Sequence, residues 1–301
     1  MTDALIDIRF RLEYGLLLLL VGLVRLMPID TAANISAAVW GTIAPRLRRH
    51  KRALANLAIA FPEKTEAQRQ AIACAMWRNL GRVMAETMQI DRLIREPDRI
   101  HILNQAVFQR YKDKLGSAIG CSLHMGNWEL AIWPLTLAGG NPAAVYRTVK
   151  NPYVDAYLRH QRRDLYPGGL LGKGKVDGNR DEGQRTARQI TDIVRHGGRL
   201  GLVCDLYDRS GLPVPFFGRD ARSVVIPAMI ARRLGARIWV ARCLRVGTSS
   251  RFEIEVKELK VPRTANAGDD VKWITAAMQA QFEAWIRETP EQWMWSNRRW
   301  S

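Results

Sequence analysis

Hydrophobic positions along the chain follow two different rhythms. Up to about residue 90 they recur at helical spacing. Beyond about residue 117 short continuous apolar runs alternate with helical patterns. Tyr14 to Val24 is an unbroken apolar stretch that Arg25 interrupts and Pro28 closes, so a first helix is expected to end there. Thr31 or Asn34 is expected to cap a second helix running through Trp40, and another helical pattern leads up to Phe61. Pro62 to Thr65 reads as a turn. Thr65 with Gln68 matches a capping box for a helix that carries Ile72, Met76, Leu80, Val83 and Met84 on one face.

The apolar runs at 118–123, 143–146, 200–204 and 238–244 read as buried strands, and the alternating run 252–256 as an edge or hairpin strand. Helical patterns at 128–138, 152–164, 184–196 and 224–234 lie between them. This order predicts an α/β fold, a mainly parallel sheet flanked by helices. The segment from Gly168 to Gly183, rich in glycine and charge, is the most loop-like. There is no internal repeat.

Charge adds a constraint on partners. Lys and Arg number 46 against 29 Asp and Glu, a net charge of +17. Nucleic acid, an anionic membrane surface or an acidic substrate would each suit such a balance. The apolar run after Tyr14 is short for a spanning helix, which needs about 20 apolar residues, and no small-residue cleavage site follows it. It is expected to anchor the chain in or on a membrane, with Arg9, Arg11 and Arg25 snorkelling at its edges. The expected layout is thus an N-terminal anchor helix over residues 1–30 and a single α/β domain over 31–301. The basic cluster from Arg46 to Arg52, next to that helix, suggests contact with lipid headgroups. It contains no stacking aromatics, which argues against a nucleic-acid interface. Cys74, Cys121, Cys204 and Cys243 are widely spaced and read as reduced core residues. The five histidines show no metal-ligand spacing, so no metal and no cofactor is expected.

Candidate chemistry lies at the end of the first predicted strand, in Ser122-Leu123-His124-Met125-Gly126-Asn127-Trp128-Glu129. A histidine five residues before a carboxylate is weak alone, since about 0.5 such pairs would arise here by chance. On a continuous helix the two side chains would diverge by about 140°. They meet only if His124 sits in a strand-to-helix loop. Gly126 would permit the tight turn, Asn127 would cap the helix, and Glu129 in its first turn would reach back to one imidazole nitrogen. The other nitrogen would then accept a proton. No G-x-S-x-G nucleophile motif is present, so that proton is expected to come from a substrate hydroxyl.

Several blocks in order resemble one known family. They are Asn56-Leu57 with Phe61-Pro62-Glu63, the His124 to Glu129 block, Val145-Tyr146-Arg147 with Lys150-Asn151-Pro152, and Arg163. Further on come Asp205, Val214-Pro215-Phe216-Phe217-Gly218, Pro290-Glu291-Gln292-Trp293-Met294-Trp295 and Arg298-Arg299. Together they resemble the bacterial lipid A biosynthesis (lauroyl/myristoyl) acyltransferases, within the lysophospholipid acyltransferase group. The resemblance implies a glycerol-3-phosphate acyltransferase-like fold and an O-acyltransferase of lipopolysaccharide biosynthesis. It implies acyl carrier protein as donor, a hydroxyl of a lipid A precursor as acceptor, and a place on the cytoplasmic face of the bacterial inner membrane. His124 would be the general base and Glu129 its orienting partner. Arg147 and then Arg163 are the expected phosphate or oxyanion binders. Asp205 would position a basic group, and Phe216, Phe217 and Gly218 would wall a substrate pocket. Trp293 and Trp295 are expected to pack the core or sit at the membrane interface. Leu206, Pro227 and Asn297 depart from the family pattern at positions often held by glutamine, glycine and histidine.

Rival readings are an acyltransferase acting on another membrane lipid, such as a glycolipid or lysophospholipid, and a non-catalytic membrane- or nucleic-acid-binding protein. Gly169 to Lys175 nearly matches a phosphate loop, but Val176 replaces the hydroxyl residue that would hold magnesium. Acyl length, acceptor position and oligomeric state are not legible in the sequence.

Overall fold

The computed structural model describes residues 3–104, 106–107, 109, 116–173 and 180–300. The helices are α1 (Asp3–Arg25), α2 (Ile29–Ile43), α3 (Arg48–Ala60), α4 (Glu66–Thr87), α5 (Ile90–Leu93), α6 (Trp133–Leu137), α7 (Pro152–Arg162), α8 (Arg180–Arg195), α9 (Ile226–Leu234) and α10 (Ala267–Glu288). The strands are β1 (Ile100–Ile102), β2 (Ala118–Ser122), β3 (Pro142–Arg147), β4 (Leu170–Lys173), β5 (Arg199–Val203), β6 (Tyr207–Phe216), β7 (Arg219–Ser223), β8 (Arg237–Arg245) and β9 (Phe252–Leu259).

The main sheet has seven strands in the order β1-β9-β8-β2-β5-β3-β4. Only β8 and β9 run antiparallel to each other; the other neighbouring pairs are parallel. This is the mixed, mainly parallel α/β sheet that the alternation of runs predicts. Residues 252–256 form the expected hairpin partner of β8, but β1 flanks β9, so it is not the edge. Residues 170–173, within the segment read as loop, form edge strand β4. Lys175 and Val176 of the near-match to a phosphate loop lie outside the described residues. The sequence pattern also missed the β6–β7 hairpin, whose mixed polar and proline-bearing strands lack a clean alternation. Phe217 and Gly218 form its two-residue turn at φ 52° and 70°, the positive-φ geometry of a tight hairpin.

Strand β2 is central, with β5 and β8 paired to it along its whole length. Gly120 and Gly201 face each other across β2 and β5, and Ile132 packs over both. Added β-carbons would stand 3.6 Å and 2.9 Å from its Cδ1, so two bare positions bring the segment after β2 close onto the sheet.

On the N-terminal side, the Thr65–Gln68 capping box forms as expected at the start of α4. Thr31 and Asn34 do not cap α2. The helix already begins at Ile29, because Pro28 at φ −55° starts it without a side-chain cap. Helices α2 and α4 cross at Gly81, where Ser36 Oγ donates to the Gly81 carbonyl at 2.7 Å. Helix α1 is pinned at both ends. Tyr153 Oη donates to Asp7 at 2.8 Å, Asn151 Nδ2 donates to the Phe10 carbonyl at 2.9 Å, and Arg25 pairs with Asp91 at 2.7 Å. Among the described residues no helix is long and apolar enough to cross a membrane.

A β-carbon at Gly81 would lie 2.5 Å from the Ser36 carbonyl oxygen and 2.9 Å from Ala37 Cα. Gly81→Ala would gain about 1 kcal/mol in helix propensity and lose about 1–3 kcal/mol to overpacking against backbone that cannot swing away. Overpacking is expected to win, giving a lower melting temperature in thermal unfolding. An unchanged or higher value would show that the crossing is looser than the structure has it.

Candidate active site

The site follows from the parallel register. Ser122 is the Cα partner of Val203 at the C-terminal ends of β2 and β5, and Cys204 N–H extends that ladder to the Ser122 carbonyl at 2.8 Å. His124 and Asp205 each lie two residues beyond that last pair, so the two chains deliver them to the same point. Nδ1 of His124 stands 2.8 Å from Asp205 Oδ1, and the His124 backbone N–H donates to Asp205 Oδ2 at 2.9 Å. A third bond reaches the carboxylate from the Trp293 indole N–H, at 2.7 Å from Oδ2. Asp205 is 1% exposed.

Burial pushes the Asp205 carboxyl upward. The charge of the His124 imidazole, its two hydrogen bonds and that of Trp293 outweigh this, leaving Asp205 below the ordinary aspartate value. Burial likewise pulls His124 down, but Asp205, with a smaller contribution from Glu129, raises it above the ordinary histidine value of 6.5. An ionised carboxylate can only accept, so Nδ1 carries the proton in this pair. Nε2 is left as the basic nitrogen.

The expected bond between Glu129 and His124 is replaced by another. Glu129 is held by Arg162, whose Nε and Nη2 donate to its two carboxylate oxygens at 2.7 Å and 2.6 Å. The residues after His124 do not form an α-helical first turn; Trp128–Ile132 is a 3₁₀ segment that leads into α6. Glu129 is mostly buried beside the imidazole, close enough to act on its charge. Asn127 does not cap that segment either, since its side chain points away to Glu86, at 2.9 Å.

The remaining expected residues divide. Arg163 is 62% exposed in its side chain and pairs with Asp164 at 3.4 Å; the inward arginine of that pair is Arg162. The helical face decides between neighbours that composition cannot separate. Arg147 ends β3, exposed, on the same rim of the sheet as His124. Asp205, expected to position a basic group, is bonded to the imidazole of His124. Phe216 and Phe217 do not wall an open pocket: at 0% and 5% exposure they pack edge-on against each other and against Trp293 and Trp295. Gly218 serves the hairpin turn. Trp293 packs the core as expected but also holds Asp205. The one signal for that contact in the sequence is the indole N–H, which seeks a partner when buried.

The sequence model of the bacterial lipid A biosynthesis acyltransferase family matches residues 8–301, nearly the whole chain. No curated protein matches the chain.

The electrostatics give a direct expectation. Asp205 contributes most to the upward shift of His124, so Asp205→Asn should lower the imidazole pKa relative to the unaltered protein. An NMR titration of the His124 ring protons measures this. A His124 pKa that stays in place or rises in the variant would contradict the pairing.

Proposed function

The chain belongs to the bacterial lipid A biosynthesis acyltransferase family and is an acyltransferase; on that premise we propose that His124, paired with Asp205, is the general base that activates the acceptor hydroxyl. The observation that carries this reading is the buried Asp205 carboxylate on Nδ1 of a histidine at the C-terminal rim of a mainly parallel sheet. That rim is where open α/β sheets gather their ligands. The donor is an acyl thioester on acyl carrier protein. The acceptor is a hydroxyl of a lipid A precursor, so the step is a secondary acylation.

In the forward step Nε2 of His124 takes the hydroxyl proton as the oxygen attacks the thioester carbonyl. A carbon–oxygen bond forms, and the tetrahedral oxyanion collapses with loss of the carbon–sulfur bond. The departing thiolate takes the proton back from the imidazolium. Asp205 stabilises the imidazolium between those two transfers, as a carboxylate does beside a catalytic histidine. Glu129, fixed by Arg162, adds negative charge beside the imidazole and fixes one wall of the site. Arg147, exposed on the same rim, is the cation for acceptor phosphate or developing oxyanion.

The protein works at a membrane surface through α1 and α2. Leu12, Leu16, Leu19 and Leu26 are between 62% and 83% exposed, and Ile35, Val39 and Ile43 of α2 are about half exposed. Arg46, Arg48 and Arg49 follow directly. A helix with exposed leucines beside a basic cluster suits an anionic interface, with the helix lying in it. The enzyme then sits on the cytoplasmic face of the bacterial inner membrane.

His124→Ala should reduce transfer by about 10²–10⁴-fold, assayed by mass spectrometry with acyl carrier protein thioester and a purified lipid A precursor. Full activity in that variant would remove the base assignment. Transfer only to a lysophospholipid would instead favour another acceptor.

Replacing Leu12, Leu16 and Leu19 together by Glu should cost about 4 kcal/mol of interfacial burial, roughly a thousandfold in partitioning. Flotation with vesicles containing anionic phospholipid reads this out. Equal flotation of the two proteins would show that α1 does not carry the attachment.

A further inference from the structure

Beneath the turn that carries His124 lies a buried ion pair that the reaction does not use. Glu86 of α4 is 0% exposed and Arg245 of β8 is 5% exposed. Arg245 Nη2 donates to Glu86 Oε2 at 2.8 Å, and Nη1 contacts Oε1. Such a pair is often no better for stability than well-packed apolar residues, because burying both charges costs as much as their attraction returns. What distinguishes it is where its remaining bonds go.

Glu86 Oε2 accepts from Asn127 Nδ2 at 2.9 Å. Among the described residues the opposite oxygen of that amide has no hydrogen-bond partner, so Glu86 sets its orientation. Arg245 Nε donates to Asn79 Oδ1 at 2.9 Å, and Asn79 Nδ2 donates to the Gly126 carbonyl at 3.0 Å. The backbone of Arg245 is bonded on both sides by the Gln292 amide, at 2.8 Å and 3.0 Å. The Gln292 carbonyl in turn accepts from Gly126 N–H at 3.0 Å. Gly126 itself sits at φ 57°, and a β-carbon there would fall 1.8 Å from the Cys243 carbonyl of β8. Both residues between Met125 and Trp128 are therefore tied, directly or through one amide, to the two members of the pair.

We infer that Glu86 and Arg245 are positioning residues for His124: through Asn127 and Asn79 their ion pair fixes the 125–127 turn that aims the imidazole. This rests on the reading of His124 as the base. The pair touches no reacting atom. Its effect is to hold a turn pressed against β8 with no helix cap of its own. Misplacing a reacting group by about 1 Å can cost about 10²-fold in rate.

Two variants and two measurements test it. Asn127→Ala cuts the link and leaves the ion pair, and is expected to lower kcat by about 10²-fold with KM within twofold. Glu86→Leu with Arg245→Met removes both charges together, avoiding the misfolding that one unpaired buried charge would invite. This double variant is expected to fold with a lower melting temperature, because Asn79, Asn127 and Ser250 each lose a buried bond, and to show the same depressed kcat. In both, the downfield Nδ1 proton of the His124–Asp205 bond, read by NMR without substrate, is expected to broaden or shift upfield. A kcat at the level of the unaltered protein in Asn127→Ala or in the folded double variant overturns the inference, as does an unmoved Nδ1 proton. If the unaltered protein transfers no acyl group, the functional reading fails and the proton measurement still decides the positioning.

Discussion

The contact between His124 and Asp205 holds the candidate site together. It exists because β2 and β5 are parallel neighbours in register, ending together at Ser122 and Val203. Each chain then runs two residues further, and the two side chains meet at 2.8 Å. The C-terminal segment closes over them. Trp293 donates to Asp205, Met294 N–H donates to the His124 carbonyl at 3.0 Å, and Met125 bridges to Trp293. Residues nearly 170 positions apart thus fix one buried carboxylate whose charge is sustained by three hydrogen bonds.

A second acid–base pair stands beside the first without sharing its bonds. Burial of Arg162 is outweighed by the charge and hydrogen bonds of Glu129, so its guanidinium is held charged. Glu129, occupied in this way, influences the imidazole through charge and not through a bond. The same helix, α7, is capped by Asn151, whose amide also reaches α1 at the Phe10 carbonyl and Glu13. One helix therefore connects the leucine-bearing N-terminal helix to the wall of the site.

Much of this was legible in the sequence, and the part that was not has physical reasons. Apolar runs marked β2, β3, β5, β8 and β9 because buried strands must be apolar. The strand–turn position of His124 followed from Leu123, Gly126 and the geometry of helices. Its partner did not. A local spacing favoured Glu129, while the true contact comes from residues 81 positions apart, and only the order of their strands in the sheet brings them together. The order of apolar runs contains no statement of adjacency, although Asp205, directly after a predicted strand, was the available signal. Arg162 and Arg163 are alike in composition and separated only by the helical face. Phe216 and Phe217 looked like pocket walls because aromatic residues serve both pockets and cores, and here four rings close on one another.

In the proposed mechanism Asp205, more than Glu129, sets the basicity of His124. The pH dependence of kcat/KM for Asp205→Asn and Glu129→Gln compares the two carboxylates. Loss of the larger upward influence should move the acid limb of the Asp205→Asn profile to lower pH, with a smaller displacement in the same direction for Glu129→Gln. An acid limb that stays in place in Asp205→Asn, or moves further in Glu129→Gln, would show that Asp205 is not the dominant influence on His124.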